Sequence, residues 1–277
     1  MNVEALPYTL LLILTELTIG TLWVTLAADL RGGVTRGFVL TMALCIAVAA
    51  GLTVWTAAAI DIGSDIDGYR ISPGWFGEAK AGLLVVLVAS AAYAFGVFMG
   101  WDPFGRLAAI AGSGAGLFAL GALAAMLAPP AWGYPATFLA LLSGSAVMGA
   151  VSTAMVWGHW YLTEGALPAW PLKELSLWLL ASLAFQTVVF AVNTAAPVRE
   201  APTPSTRVDV GLLDNPAFWL RVGVGLVFPV ILGALSLQTA RIRAMQSATG
   251  LLYIAMGAVF AGEVLAKGLM FMTGRPI

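Results

Sequence analysis

Three ionisable side chains, Glu16, Glu263 and Lys267, stand inside runs of apolar residues long enough to cross a bilayer. A charge at bilayer depth costs about 2.5 kcal/mol or more on insertion scales, so it faces protein or water and usually has a purpose there. Glu263 and Lys267 are four residues apart in the last run, on one helix face and in the favourable Glu-before-Lys order. With Tyr253, Met256, Phe260 and Met270 they form a stripe at spacings of three and four. That stripe predicts the face around which the bundle is built. The pair suits a proton relay or a polar cavity, and equally a self-contained ion pair that lets the helix insert. Glu16 lies between Thr15 and Thr18, with Gly20 and Trp23 further along its face, and has no evident partner. It reads as a proton-accepting carboxylate, or as a hydrogen-bonding group that fastens two helices.

Other residues extend this set. His159 closes the fifth apolar run beside Trp157, Trp160 and Tyr161. A histidine donating to a carbonyl oxygen while rings stack beside it suits a quinone head group. It suits a single axial haem position too, with the second ligand supplied elsewhere. The structural alternative is an interfacial aromatic belt. Arg221, just inside the seventh run, either marks the membrane interface or pairs with Glu263. Gln186, Asn193 and Gln238 are expected to make interhelical hydrogen bonds. The Gly112-Ser113-Gly114-Ala115-Gly116 run has the spacing that lets helix backbones approach closely. Ser145, Gly149, Ser152 and His159 share one face of the fifth run.

Several chemistries are excluded. Gly223-Val224-Gly225 sits within an apolar run and follows no strand, so it is no dinucleotide fingerprint. Asp61, Asp65 and Asp67 are spaced like the start of a calcium loop, but the remaining ligands do not follow. A single cysteine, Cys45, and a single histidine leave no disulfide framework, no multi-histidine metal site and no two-histidine haem site. The chain alone therefore holds no haem or iron–sulfur cluster, and no metal site is expected. A formal net charge of −1 lacks the basic footprint of a nucleic-acid binder.

What must position these residues is a set of membrane helices. The 277 residues are 60% hydrophobic and 10% charged, against about a quarter charged in a soluble domain. Eight apolar runs, about 7–28, 38–60, 81–101, 107–127, 136–162, 175–195, 218–239 and 248–272, each have the length of a membrane span. The breaks are short and polar or rich in Pro and Gly: an acidic loop with Pro73 after the second, Asp102-Pro103, Pro129-Pro130, and a longer loop with Pro197, Pro202 and Pro204. The first run lacks a basic leader and is too long for a signal peptide, which predicts a retained helix. The expected fold is an all-α integral membrane protein, eight transmembrane helices in one bundle forming a single domain over 1–277.

Basic residues of the short loops set the orientation. Arg31 and Arg36, Arg106, Lys173, and Arg241 with Arg243 follow runs one, three, five and seven, which predicts one cytoplasmic side for all four loops. The opposite loops carry Asp61, Asp65, Asp67, Glu78, Glu200, Asp209 and Asp214, mixed with Arg70, Lys80, Arg199 and Arg207. Both termini then lie on the non-cytoplasmic side.

The span layout, and a last run reading Gly262-Glu263-Val264-Leu265-Ala266-Lys267 and closing on Phe271-Met272-Thr273-Gly274-Arg275-Pro276, resembles the NrfD-like membrane subunits of the polysulfide reductase and dimethyl sulfoxide reductase families. Lys267 stands where arginine is commoner in that family, and the His159-Trp160-Tyr161 cluster has no counterpart motif. The resemblance implies a membrane subunit of a respiratory oxidoreductase in the inner membrane of a prokaryote. It would bind menaquinone or ubiquinone between its helices and exchange electrons with an iron–sulfur or cytochrome subunit wired to a catalytic subunit. In that reading Glu16, Glu263 and Lys267 handle protons, while His159, Trp160, Tyr161 and Arg221 contact the quinone. A proton-coupled transporter or permease accounts for buried Glu and Lys as well, and a purely structural anchor is the third reading.

Overall fold

A computed structural model describes residues 3–66, 69–128, 133–164, 167–196 and 212–277. Asp67, Pro129 and Pro130 lie outside these residues, as does the loop holding Pro197, Arg199, Glu200, Pro202, Pro204, Arg207 and Asp209. Helices α1 (Leu6–Arg31), α2 (Arg36–Ala59), α3 (Trp75–Met99), α4 (Asp102–Leu127), α5 (Tyr134–Glu164) and α6 (Trp170–Ala195) follow in order. The seventh span, Pro216–Arg241, comprises α7 (Pro216–Val222), a π-helical turn over Gly223–Val227 and α8 (Phe228–Arg241). The last is α9 (Met245–Thr273). Among the described residues, eight helical spans are thus long and apolar enough to cross a membrane.

Local chemistry explains where these helices begin and end. Proline stands in the first turn of α1, α4, α6 and α7, where a missing N–H costs nothing. Thr35 caps α2 by accepting from Phe38 N at 3.3 Å, and Asn215 caps α7 by accepting from Ala217 N at 3.0 Å. Gly100 and Gly274 end α3 and α9 in the left-handed conformation, which glycine adopts without penalty. The third helix starts earlier than the apolar run predicts, at Trp75, so Glu78 and Lys80 fall within its first turns. The acidic loop before it contains a two-residue hairpin, β1 (Asp65–Ile66) against β2 (Tyr69–Arg70), with Ile66 buried.

Small residues set the closest approaches. A Cβ on Gly20 of α1 would collide with the Ser145 carbonyl of α5, and one on Gly149 with the Gly20 backbone. Gly112 and Gly116 of α4 receive Leu22 and Ile19 of α1, as the small-residue spacing predicts. Gly96 of α3 meets Gly105 of α4, and Gly225 of the π turn meets Gly262 of α9.

The buried face of α9 differs from the predicted stripe. Glu263, Lys267 and Met270 are buried, but Met256 and Phe260 are half-buried and Tyr253 is exposed. Ala248, Leu252, Ala255 and Val259 face inward instead, because the first half of α9 packs through small and aliphatic side chains. The helix around which the others gather is α5: every residue from Ser143 to Ala154 except Ala146 is buried. Outward-facing Val48, Trp55, Val88, Phe98, Leu107 and Val188 form an apolar surface of the kind that suits lipid.

The loops after spans one, three, five and seven lie at one end of the bundle. There Arg106 Nη2 pairs with Asp29 Oδ1 at 2.8 Å, and Tyr93 Oη donates to Asp29 Oδ2 at 2.9 Å. Arg31 pairs with Glu174 at 2.8 Å, and Arg36 caps the end of α3 by donating to the carbonyls of Val97 and Phe98.

Candidate functional site

Four charged side chains from α1, α9 and the seventh span meet in the interior. Lys267 Nζ lies 2.6 Å from Glu16 Oε1 and 3.2 Å from Glu263 Oε2. Arg221 Nη2 lies 3.4 Å from Glu263 Oε1, which also accepts from Gln186 Nε2 at 2.6 Å. The order is Glu16, Lys267, Glu263, Arg221, two negative charges against two positive. None of the four side chains is more than 4% exposed. Such a network is a poor stability device, since well-packed apolar replacements for buried ion pairs are often neutral or stabilising by about 1–4 kcal/mol. Its presence calls for another reason.

Glycines clear the room it occupies. A Cβ on Gly144 of α5 would stand 2.7 Å from Glu16 Oε1. One on Gly225 would stand 2.8 Å from Arg221 Nη1, and one on Gly262 would stand 3.0 Å from the same atom. The π turn lies directly after α7, between Arg221 and Pro229. Turns of this type inside α-helices frequently mark functional positions.

The sequence expectations divide here. Glu16 is not a lone carboxylate: Lys267 is its partner, brought to it by the packing of α9 against α1 and α5. Arg221 is no interface marker but is buried on Glu263. The Glu263–Lys267 pair is real but not self-contained, because it is the middle of a longer chain of charges. Gln186 does bond between helices, and its acceptor is the network itself. Asn193 also bonds between elements, donating to the carbonyls of Ala136 at 3.1 Å and Pro276 at 2.6 Å. Gln238, by contrast, is exposed on α8.

His159, Trp160 and Tyr161 are not brought to the charges. They sit at the end of α5 on the basic side, where His159 is exposed and its Nδ1 lies 3.0 Å from Tyr253 Oη. His159 therefore leaves the buried face that Ser145, Gly149 and Ser152 share. Trp160 and Tyr161 are half-buried, and Trp160 packs edge-on to Phe38 with ring centres 6.3 Å apart. Sequence reasoning missed Gly144, Gly225 and Gly262 as members of the site. The signal for two of them was present in Gly223-Val224-Gly225 so close to Pro229, and in the Gly262-Glu263 pair.

Several polar atoms of the site have no hydrogen-bond partner: Glu16 Oε2, Gln186 Oε1, and Nε and Nη1 of Arg221. Beside them a cleft of about 240 Å³, counted to its open mouth, is lined by Ser143, Gln186, Phe190, Arg221, Glu263 and Lys267, with Pro276 and Ile277 at the acidic-loop end. The carboxylate, amide and guanidinium groups at the network are partners for water or hydronium. A second cleft at the basic end is lined by Arg31, Trp170, Glu174 and Trp178, and neither cleft includes His159, Trp160 or Tyr161. Among the described residues no group of three His, Cys, Asp or Glu side chains gathers as metal ligands. Comparison with family models, with curated proteins and with solved structures gives no match.

Proposed function

We propose that this chain is the proton-handling membrane subunit of a respiratory oxidoreductase complex, holding and passing protons on Glu16, Glu263 and Lys267, with Arg221 as a fixed positive charge beside them. The observation that carries this reading is Lys267 Nζ within ion-pair reach of two carboxylates on different helices. A cation shared by two carboxylates lets one of them take a proton while the other keeps the charge balanced. Glu16 Oε2 and the Arg221 nitrogens, free of hydrogen bonds, give an arriving water its acceptor and its donors. The Arg221–Gln186 side opens through the cleft, so exchange with the acidic-loop side passes there.

The complex itself, with an iron–sulfur or cytochrome partner and a quinone or quinol, belongs to this reading through the likeness of the last helix to the NrfD-like subunits. Oxidation of a quinol would release electrons and protons and reduction of a quinone would take them up, while this chain's residues hold protons and exclude bulk water. The test is proton uptake or release by the complex purified with its partners, for wild type, Glu16→Gln and Lys267→Met. The expected outcome is that both variants lose proton movement. Unchanged proton yield and turnover in both would overturn the reading.

A second reading, a proton-coupled transporter, is favoured by the π turn and Pro229 within the seventh span, because transporters place interrupted helices at their binding sites. Proton flux in liposomes containing this chain alone, driven by a pH gradient, would select it.

A further inference from the structure

Among the described residues, Glu16, Arg221, Glu263 and Lys267 are the only charged side chains that are fully buried. The helices packed around them add neutral groups, Ser143 and Gly144 from α5 and Gln186 from α6. The two carboxylates are nonetheless placed differently. Glu263 meets three N–H partners: Lys267 Nζ at 3.2 Å on Oε2, and Gln186 Nε2 at 2.6 Å and Arg221 Nη2 at 3.4 Å on Oε1. Glu16 meets one, Lys267 Nζ, 2.6 Å from Oε1, and its Oε2 has no hydrogen-bond partner. Donors facing an ionised oxygen make strong contacts that weaken when the carboxylate takes a proton. Protonating Glu263 would weaken three of them, protonating Glu16 a single one.

Access separates the two carboxylates as well. The cleft is lined by Lys267, Glu263, Arg221 and Gln186, whereas Glu16 does not line it and its side chain is 0% exposed. Gly144 and the Lys267 ammonium group stand against the Glu16 carboxyl. Lys267 therefore borders the cleft and pairs with Glu16, which makes it the bridge between them. Among the side chains lining the cleft, Gln186 Oε1 and the Nε and Nη1 atoms of Arg221 lack hydrogen-bond partners. They supply an acceptor and donors for a water beside Lys267.

We infer that Lys267 is the relay that loads Glu16 with a proton from the cleft, while Glu263 stays ionised as the fixed counter-charge. This rests on the proton-handling role proposed above and narrows it. An N–H bond of Lys267 breaks as an O–H bond forms on Glu16 Oε1, and the electron pair stays on Nζ. The neutral amine then takes a proton from hydronium in the cleft and leaves water behind. Loading takes the four side chains from no net charge to one positive charge, at a depth where charge is costly. The stored proton is therefore held against a cost and returns by the reverse steps. Arginine at this place would keep the ion pair but could not relay, because a guanidinium does not give up its proton in proteins.

Infrared difference spectroscopy of the full-length chain in nanodiscs, stepped from alkaline to acidic buffer, reads this transfer through the C=O stretch of a newly protonated carboxyl group. One component of that signal is expected to vanish in Glu16→Gln and to persist in Glu263→Gln. In Lys267→Arg it should form roughly a hundredfold more slowly, the scale of a positioned acid–base group. Gln186→Leu keeps all four charges and removes the acceptor for the cleft water, so it should slow loading too, and it carries the test where Lys267→Arg does not fold. A component that persists in Glu16→Gln and vanishes in Glu263→Gln overturns the assignment of the store, as does the absence of any component that depends on Glu16. Loading at the wild-type rate in every folded variant of Lys267 and Gln186 overturns the relay. Slow loading in these variants, together with unchanged proton yield from the Glu16→Gln complex with its partners, would leave the relay standing and sink the respiratory role instead.

Discussion

Lys267 is the side chain on which the network turns, because it is the one member that touches both carboxylates. Replacing it with methionine leaves Glu16 and Glu263 facing each other with only Arg221 to compensate. Breaking one partner of a buried pair costs about 3–5 kcal/mol, so Lys267→Met should melt markedly earlier than wild type in thermal unfolding in detergent. Adding Glu16→Gln removes one negative charge for the lost positive one, and the double variant should recover part of that loss. With Glu16→Gln alone completing the cycle, a double-variant loss equal to the sum of the two single losses would show that the two residues are not coupled. The apolar surroundings made Glu16, Glu263 and Lys267 stand out in the sequence. Their meeting was not legible there, because the rotation of α1 against α9 depends on which small residues end up opposed. A glycine that clears room for a carboxylate, as Gly144 does, reads in a sequence like any other membrane-helix glycine.

Helices carry the next level of constraint. At the α1–α5 crossing the backbones touch, so Gly20→Ala forces them apart, and overpacking of this kind costs about 1–3 kcal/mol or more. Gly114 of α4 faces open space, and Gly114→Ala should change stability by no more than about 0.5 kcal/mol. Comparing the two thermal melts checks the crossing. The π turn gives a sharper prediction. A Cβ on Gly225 of this turn would stand 2.8 Å from both Arg221 Nη1 and Gly262 Cα, so Gly225→Ala should push Arg221 off Glu263 and follow Arg221→Leu in its loss of proton movement. Wild-type proton movement in Gly225→Ala would show that the turn does not hold Arg221 in place. Span positions were legible to within a few residues, since twenty apolar residues between polar breaks leave little choice. The π turn was not, because its residues are as apolar as their neighbours. The β1–β2 hairpin was equally hidden, two residues per strand being too few to show alternation.

At the scale of the molecule, the four loops rich in arginine and lysine share one end, joined there by Asp29–Arg106, Arg31–Glu174 and the Arg36 contacts with α3. The positive-inside bias predicts that this end faces the cytoplasm. With Cys45 replaced by serine, Ile242→Cys at the basic end should react with a membrane-impermeant maleimide only after permeabilisation, and Ser64→Cys at the other end should react in intact cells. The reverse pattern would invert the assignment of the two ends. The crossing of α1 and α5 has a mechanical consequence as well. Helices that meet backbone to backbone, with no side chain between them, cannot slide without collision, so these two form a stator. The seventh span has the opposite character, with one π-helical turn and a proline beside the glycine that abuts Gly262. Bending of this span meets least resistance at Gly223–Val227, and Arg221, two residues before it, is the side chain that such a bend would carry on and off Glu263.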